Sequence, residues 1–346
     1  MAAIHPDRSA AAPSAGGGGG IRRRLLSAVR HEEIALLGLF LLVAAFFALA
    51  VPSARSGGTY LDLLRDAAPN LIAAIGVTLL LLAGEFDLSV GSMLAFTGVV
   101  TVSTFNVTDS MWLGIVAGLL TGPLIGAING YLVTVQGMNS LMTTLGMLFA
   151  LRGLVYVWTN QTPVVDENGF SAFTGFYRGE IARVPLPGII ALVLIALAWL
   201  FATRTEFGRN IYAIGGNRTA ARVSGIRVQR NTFLLFVLSG TTAAVAGVLV
   251  ASQTGTGYFD AGVQGFELIV IASIVLGGVS LSGGEGNLLS AMLGVLILGM
   301  VAKGLRLMGA HTTQQLVVTG IVMLLAVFLH GVRQRMLVES RRRDGA

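Results

Sequence analysis

The sequence predicts an all-α polytopic membrane protein: a bundle of about ten transmembrane helices with both termini in the cytoplasm. Three observations predict it. First, of 346 residues 54% are hydrophobic and only 12% are charged, where soluble domains carry about 25% charged residues. Mean hydropathy is +0.78, and one soluble core cannot absorb that excess because domains stop growing near about 250–300 residues. Second, the apolar runs have membrane length. Third, arginines alternate between the segments that join them. A soluble enzyme, a disordered chain and a fibre are excluded.

The elements follow in order. Residues 1–20 are rich in Ala, Gly, Pro and Ser and end in five glycines. With Arg22, Arg23, Arg24 and Arg30, residues 1–30 read as a disordered basic cytoplasmic tail, too polar and too long before the first apolar run for a cleaved signal peptide. Residues 31–335 form the transmembrane body, and residues 336–346 a second basic cytoplasmic tail. The apolar spans are 34–51, 67–84, 88–108, 111–135, 138–158, 185–203, 232–251, 265–282, 287–302 and 313–331. The shorter ones hold about 18 residues, which as helix rise roughly 27 Å, close to the hydrocarbon thickness. Short joints near 85–87 and 136–137 mark places where helices break or re-enter. Trp112, Trp158 and Trp199 fall near span ends, as interfacial anchors do.

Placing both termini inside puts 16 basic residues on inner segments and 6 on outer loops, with Arg152 inside a span. That bias orients the chain, and arginines next to apolar helices serve this purpose and not nucleic-acid binding. There are no cysteines, so disulfides, thiolate metal sites and cysteine nucleophiles are impossible. No catalytic constellation and no metal-binding cluster stands out. The single lysine, Lys303, is followed by glycine, so the Gly-Lys-Ser/Thr of a phosphate-binding loop is missing. The chain binds no cofactor of its own in this reading, and any ATP and Mg would be used by a partner ATPase.

Span four carries Gly114, Gly118, Gly122, Gly126 and Gly130 at a spacing of four, a small-residue face for close helix packing, within the chain or between copies. Arg152 either faces protein and water or snorkels to the outer interface. Glu267 and Lys303 read as interfacial. A proton-relay carrier would show several buried carboxylates, and no such chain is visible.

The longest inner segment, residues 204–231, reads RTEFGRNIYAIGGNRTAARVSGIRVQRN. It predicts a short helix over about 219–224, with Asn217 as its cap and Gly225 as its stop. That pattern suits a docking helix better than a loop that only holds anionic lipid. IYAIGGNRTAARVSGIRV resembles the cytoplasmic coupling segment of ribose/xylose-type permeases of bacterial ABC importers. So do GEFDLSVGSMLAFTG at 84–98, NGYLVTVQGMNSLMTTLGMLFALRGLVYVWTNQTP at 129–163 and ASIVLGGVSLSGGEGN at 272–287. The four motifs stand in the family's order, and the resemblance runs from about residue 61 to residue 329, nearly the whole apolar body.

The resemblance implies a permease of the bacterial inner membrane that moves a monosaccharide, pentose, hexose or related polyol. It implies a cytosolic ABC ATPase, an extracytoplasmic sugar-binding protein, membrane lipid and a second permease copy as partners. Ala220, Ala221, Gly225 and Ile226, with Asn217 and Arg222, would form the ATPase-coupling loop. Asp87, Ser89 and Gly91 would form an inner-turn motif, where Asp87 or Ser89 also serves as a helix cap. Asn129 and Arg152 match the family inside spans, either lining the pathway or holding helices together. Asn70 joins them as a polar pathway candidate, beside Asn106, Gln161 and Tyr156. Two departures from the family stand out: Glu85 and Phe86 in the inner turn, and Glu285 after the SLSGG stretch. The outer loop 159–184 is too short for a ligand-binding domain. The alternatives are a branched-chain amino-acid or nucleoside permease of the same kind, an ATP-independent channel or carrier, and a membrane scaffold.

Overall fold

The computed structural model describes residues 18–311, 313–322, 324, 325 and 328, with side chains from residue 33 onward. In chain order the helices are α1 (Gly18–Ala50), α2 (Gly57–Leu82), α3 (Val90–Thr108), α4 (Met111–Thr134), α5 (Ser140–Thr159), α6 (Ser171–Arg178), α7 (Leu186–Arg204), α8 (Glu206–Gly216), α9 (Arg218–Val223), α10 (Val228–Thr254), α11 (Phe266–Leu276) and α12 (Leu288–Leu307), then α13 (Thr313–Val322). A 3-10 turn, Pro52–Arg55, joins α1 to α2. Four two-residue strands cap one end: β1 (Val164–Val165) pairs antiparallel with β4 (Thr256–Gly257), and β2 (Glu180–Ile181) with β3 (Val184–Pro185).

Residues 71–82 of helix α2 form the axis of the bundle because that stretch is uncharged and apolar nearly all round, and such a helix has no face to give to water. The membrane-length stretch of α2 is 78% buried, against 33% for α4 and 11% for α1. Helices α10, α12, α7 and α11 pack around it. One end of the bundle carries the α7–α10 connection and is called the loop end here; the strands and α6 close the far end.

Eight helices among the described residues are long and apolar enough to cross a membrane, so the protein is a polytopic helical membrane protein. Two expected spans differ. The run 265–282 is helical only over α11, about 16 Å at the α-helical rise, half the hydrocarbon thickness. Glycines end it on both sides, since Gly265 (φ 77°) and Gly278 (φ 88°) take left-handed backbone. The last run is helical over α13 as far as described, and residues 336–346 lie outside the described residues. At the other terminus α1 already begins at Gly18, inside the stretch the composition assigned to an irregular tail.

The glycine face of α4 is an intramolecular seam. A Cβ on Gly118 would stand 2.0 Å from Thr101 Oγ1 on α3, one on Gly122 2.4 Å from the Gly240 carbonyl, and one on Gly126 2.3 Å from the Phe236 carbonyl, both on α10. Close backbone approach offsets the helix-propensity cost of each glycine.

Candidate functional site

Between α2 and α3 the chain leaves helical geometry and runs through Glu85, Phe86, Asp87 and Leu88. Unwound backbone inside a membrane body must find partners for its N–H groups, and here it does. Phe86 N–H donates to Ser140 Oγ (3.3 Å) and Leu88 N–H to Thr144 Oγ1 (3.1 Å), both from the first turns of α5. The Glu85 N–H returns to the Leu80 carbonyl (3.1 Å).

Asp87 is fully buried and gathers three donors: Ser89 N–H at 3.0 Å, Ser89 Oγ at 2.6 Å and Ser239 Oγ of α10 at 2.8 Å. Ser239 lies about 16 Å along α10 from its loop-end start, which places this knot well inside the bundle. Asn129 of α4 donates to Ser89 Oγ at 3.0 Å, so Asn129 braces α4 against the joint; its Oδ1 atom has no partner. Ser89 occupies the N-cap position of α3 without a side-chain cap bond, and Asp87 accepts from the Ser89 N–H and not from the first turn of the helix. Asn70, half-buried on α2, makes no hydrogen bond among the described residues.

At the loop end, α9 forms where the sequence placed it. Asn217 Oδ1 accepts from Ala220 N–H (2.9 Å). Gly225 (φ 85°) closes the helix, with its N–H on the Arg222 carbonyl and the Ile226 N–H on the Ala221 carbonyl (both 3.1 Å). Ala221 is buried and seats the helix, whereas Ala220, Arg222, Val223 and Gly225 face outward, Val223 being 85% exposed. Ile226 is half-buried. Arg218 reaches from α9 to form an ion pair with Glu85, whose side chain is only 6% exposed. The residue that departs from the family pattern is thus the one that ties α9 to the unwound joint. Glu285, the other departure, is exposed and has no ion-pair partner among the described residues.

The same end holds a glycine interlock. The Gly284 N–H donates to the Leu82 carbonyl (2.8 Å). A Cβ on Gly215 of α8 would stand 2.0 Å from that carbonyl, and one on Gly283 2.7 Å from the Gly84 Cα. All four stretches that resemble the permease family therefore touch here: 84–98 and 129–163 through the joint and α5, 211–228 and 272–287 through these glycines. A cleft of about 570 Å³ opens beside them, lined by Glu85, Asn139, Arg218, Arg222 and Gln229.

Arg152 sits half-buried on α5 with Nε and Nη2 enclosed and unpartnered. Gly91 lies on the first turn of α3 against the first turn of α11, where Glu267 is buried. Ser140, Thr144, Ser239 and Arg218 went unassigned from the sequence; the Ser140–Thr144 spacing of four was the one signal that they share a helix face.

At the far end, Lys303 (3.0 Å) and Arg306 (3.3 Å) of α12 both bind Asp66 of α2, and Arg65 pairs with Glu180 at 2.5 Å. Nearby, burial pushes the Tyr177 hydroxyl of α6 up to about 12, Asp66 adding to the effect. Asn106 fastens the outer loop through the Val165 carbonyl (2.9 Å) and the Glu167 N–H (3.1 Å), so it holds structure.

The chain is similar in sequence to known transport permeases. The family described as "Branched-chain amino acid transport system / permease component" matches residues 59–327. The chain is 36% identical over 307 residues to the ribose import permease protein RbsC of Escherichia coli (strain K12), covering 88% of this chain and 94% of that one. It is 38% identical over 293 residues to RbsC of Bacillus subtilis (strain 168), covering 85% and 90%. It is 37% identical over 266 residues to the L-arabinose transport system permease protein AraH of E. coli (strain K12), covering 76% and 80%.

Proposed function

The chain belongs to the family of branched-chain amino acid transport system permease components, and from that premise we propose that it is the membrane-spanning subunit of an ATP-driven importer for a monosaccharide. Relatives named for ribose and L-arabinose import align over most of both chains, which favours a neutral sugar over the amino acids in the family's description. The protein is a multi-pass component of the bacterial cytoplasmic membrane and a transport subunit with no nucleotide chemistry of its own. A cytosolic ABC ATPase, with its ATP and Mg, supplies the work; a solute-binding protein delivers sugar at the far end; and two permease copies share the pathway, surrounded by lipid. Both termini and the loop end face the cytosol.

The observation that carries the reading is α9: a capped helix with an exposed outer face, tied through Arg218 to Glu85 in the unwound joint. A push on Ala220, Arg222, Val223 and Gly225 is delivered through Ala221, Ile226 and the Arg218–Glu85 pair to Asp87, where α3, α4 and α10 meet. Loop-end motion thereby becomes a shift in how these helices pack. Small, stiff contacts suit this purpose because packed interfaces move as bodies and do not deform continuously.

The test is uptake by proteoliposomes holding the permease, its ATPase and its binding protein. Labelled pentose or hexose should accumulate only with ATP on the loop-end side. Accumulation of leucine in its place would overturn the substrate, and downhill sugar flux by the permease alone would overturn the energy source.

A further inference from the structure

Helices α9 and α10 are joined by residues 224–227 alone. The turn is pinned to the bundle: the Val228 N–H donates to the Ile226 carbonyl (2.8 Å), Val228 is buried and Ile226 half-buried. Two hollows open against it. The first, of about 570 Å³, is lined by Arg222, Ile226, Arg227, Gln229 and Arg230 among others. Its wall is firm because Gln229 Nε2 donates to the Thr134 carbonyl of α4 at 3.2 Å. The second, of about 420 Å³, lies between α8 and the start of α10, with Phe207, Asn210, Arg227, Arg230 and Leu234 in its lining. Arg227 and Arg230 border both.

The charge around these hollows breaks a local rule. Arg222, Arg227 and Arg230 are exposed and form no ion pair or hydrogen bond among the described residues. Glu206, the carboxylate in the second lining, pairs with none of them. Arg227 is the N-cap residue of α10 and Arg230 stands in its first turn, which holds no acidic residue. Cations at that end of a helix oppose its macrodipole, where acids are favoured. Membrane orientation asks only that arginines lie on the inner side; it gives no reason to set two of them against the dipole of a 27-residue helix. Local rules are broken in this way at functional sites. Beside the arginines, Val223 is 85% exposed. A lipid headgroup leaves such a side chain uncovered, whereas protein interfaces combine arginine with buried apolar groups.

We propose that the α9–α10 turn is a second contact of the cytosolic ATPase, which places a carboxylate side chain in each hollow, held by Arg227 and Arg230 and, in the first, by Arg222 as well. The guanidinium fork matches a carboxylate in two parallel hydrogen bonds, and acids arriving here relieve the charge conflict in the first turn of α10. The ATPase then grips α10 as well as α9. Because α10 carries Ser239 to Asp87 (2.8 Å), this grip reaches the buried knot without passing through Glu85. The inference rests on the ATP-driven import reading above.

The experiment measures binding of the importer's own ATPase to the full-length permease in nanodiscs of zwitterionic lipid, as NaCl is raised. Wild-type affinity should fall with salt, because exposed charges are screened. Arg227→Gln with Arg230→Gln should weaken binding about tenfold at low salt and flatten the salt dependence. The corresponding lysine pair should keep most of the affinity, the glutamate pair should lose more than the glutamine pair, and Arg209→Gln, on α8 and in neither lining, should match wild type. In proteoliposomes, raising the ATPase concentration should restore ATP-coupled uptake to the glutamine pair, which a misfolded permease would not allow. Wild-type affinity in the glutamine pair overturns the contact. So does a salt dependence that appears only when the nanodiscs contain anionic lipid, which would give these arginines to the membrane. If the ATPase does not bind wild type at all, the import reading falls and takes the contact with it; binding without arginine dependence removes the contact alone.

Discussion

Glu85 holds a buried carboxylate in the unwound joint, and what that charge costs depends on its partner. Its identity stood out as a departure from the family's inner turn, but a departure gives no partner. The structure supplies Arg218, 133 positions away, inside a loop whose arginines read collectively as an orienting charge. Removing the guanidinium leaves a buried carboxylate uncompensated; because the Arg218 side chain is 44% exposed, the loss should be about 1–3 kcal/mol, below that of a fully buried pair. Arg218→Ala should therefore lower both thermal stability and ATP-coupled uptake. Glu85→Gln with Arg218→Ala should be less damaging than Arg218→Ala alone, as a double-mutant cycle on melting temperature would record; strictly additive losses would argue against the tie. Asp87 and Ser89 were legible as a motif, but Ser239, their third anchor, was not, because nothing local in α10 marks it.

At the scale of elements, legibility depended on whether the deciding signal was local. Helix α9 was readable to within a residue because Asn217 and Gly225 act on their own neighbours. The unwound joint was readable only as a suspiciously short connection, since its hydrogen-bond partners, Ser140 and Thr144, come from another helix. The run 265–282 misled for a different reason: hydropathy counts apolar side chains and is blind to left-handed glycine backbone, so a half-length helix and its flanking turns looked like one span. The α4 ladder was legible as a packing face, and the structure decides in favour of packing within the chain. Gly126→Leu should drive a side chain against the Phe236 carbonyl and cost at least the upper part of the 1–3 kcal/mol range typical of overpacking, about 3 kcal/mol. Gly146→Leu, on α5 with nothing within 4 Å of its Cβ position, should cost under about 1 kcal/mol. Thermal unfolding in detergent separates the two, and equal losses would contradict the seam.

For the molecule as a whole, the arginine bias predicts which end of the bundle faces the cytosol. A chain without cysteine is suited to testing it. Ser224→Cys on the exposed edge of α9 should react with a membrane-impermeant maleimide only in inside-out vesicles, whereas Asn168→Cys in the outer loop should react in intact cells. The opposite pattern would remove the basis for ATPase docking at α9. The apolar residues left exposed on α4 and α5, among them Leu120, Leu124 and Phe149, are what a bundle in lipid requires and explain why composition alone predicted the class. The depth of the polar groups, by contrast, came only from knowing which helices stop halfway.

The interlock of Gly84, Gly215, Gly283 and Gly284 has a mechanical consequence. Where side chains separate two elements, part of any displacement is lost as rotamers yield and methyl groups slide. Here backbone bears directly on backbone, so that the junction has no cushion, and α8 cannot shift without carrying the end of α2 and the loop between α11 and α12 with it.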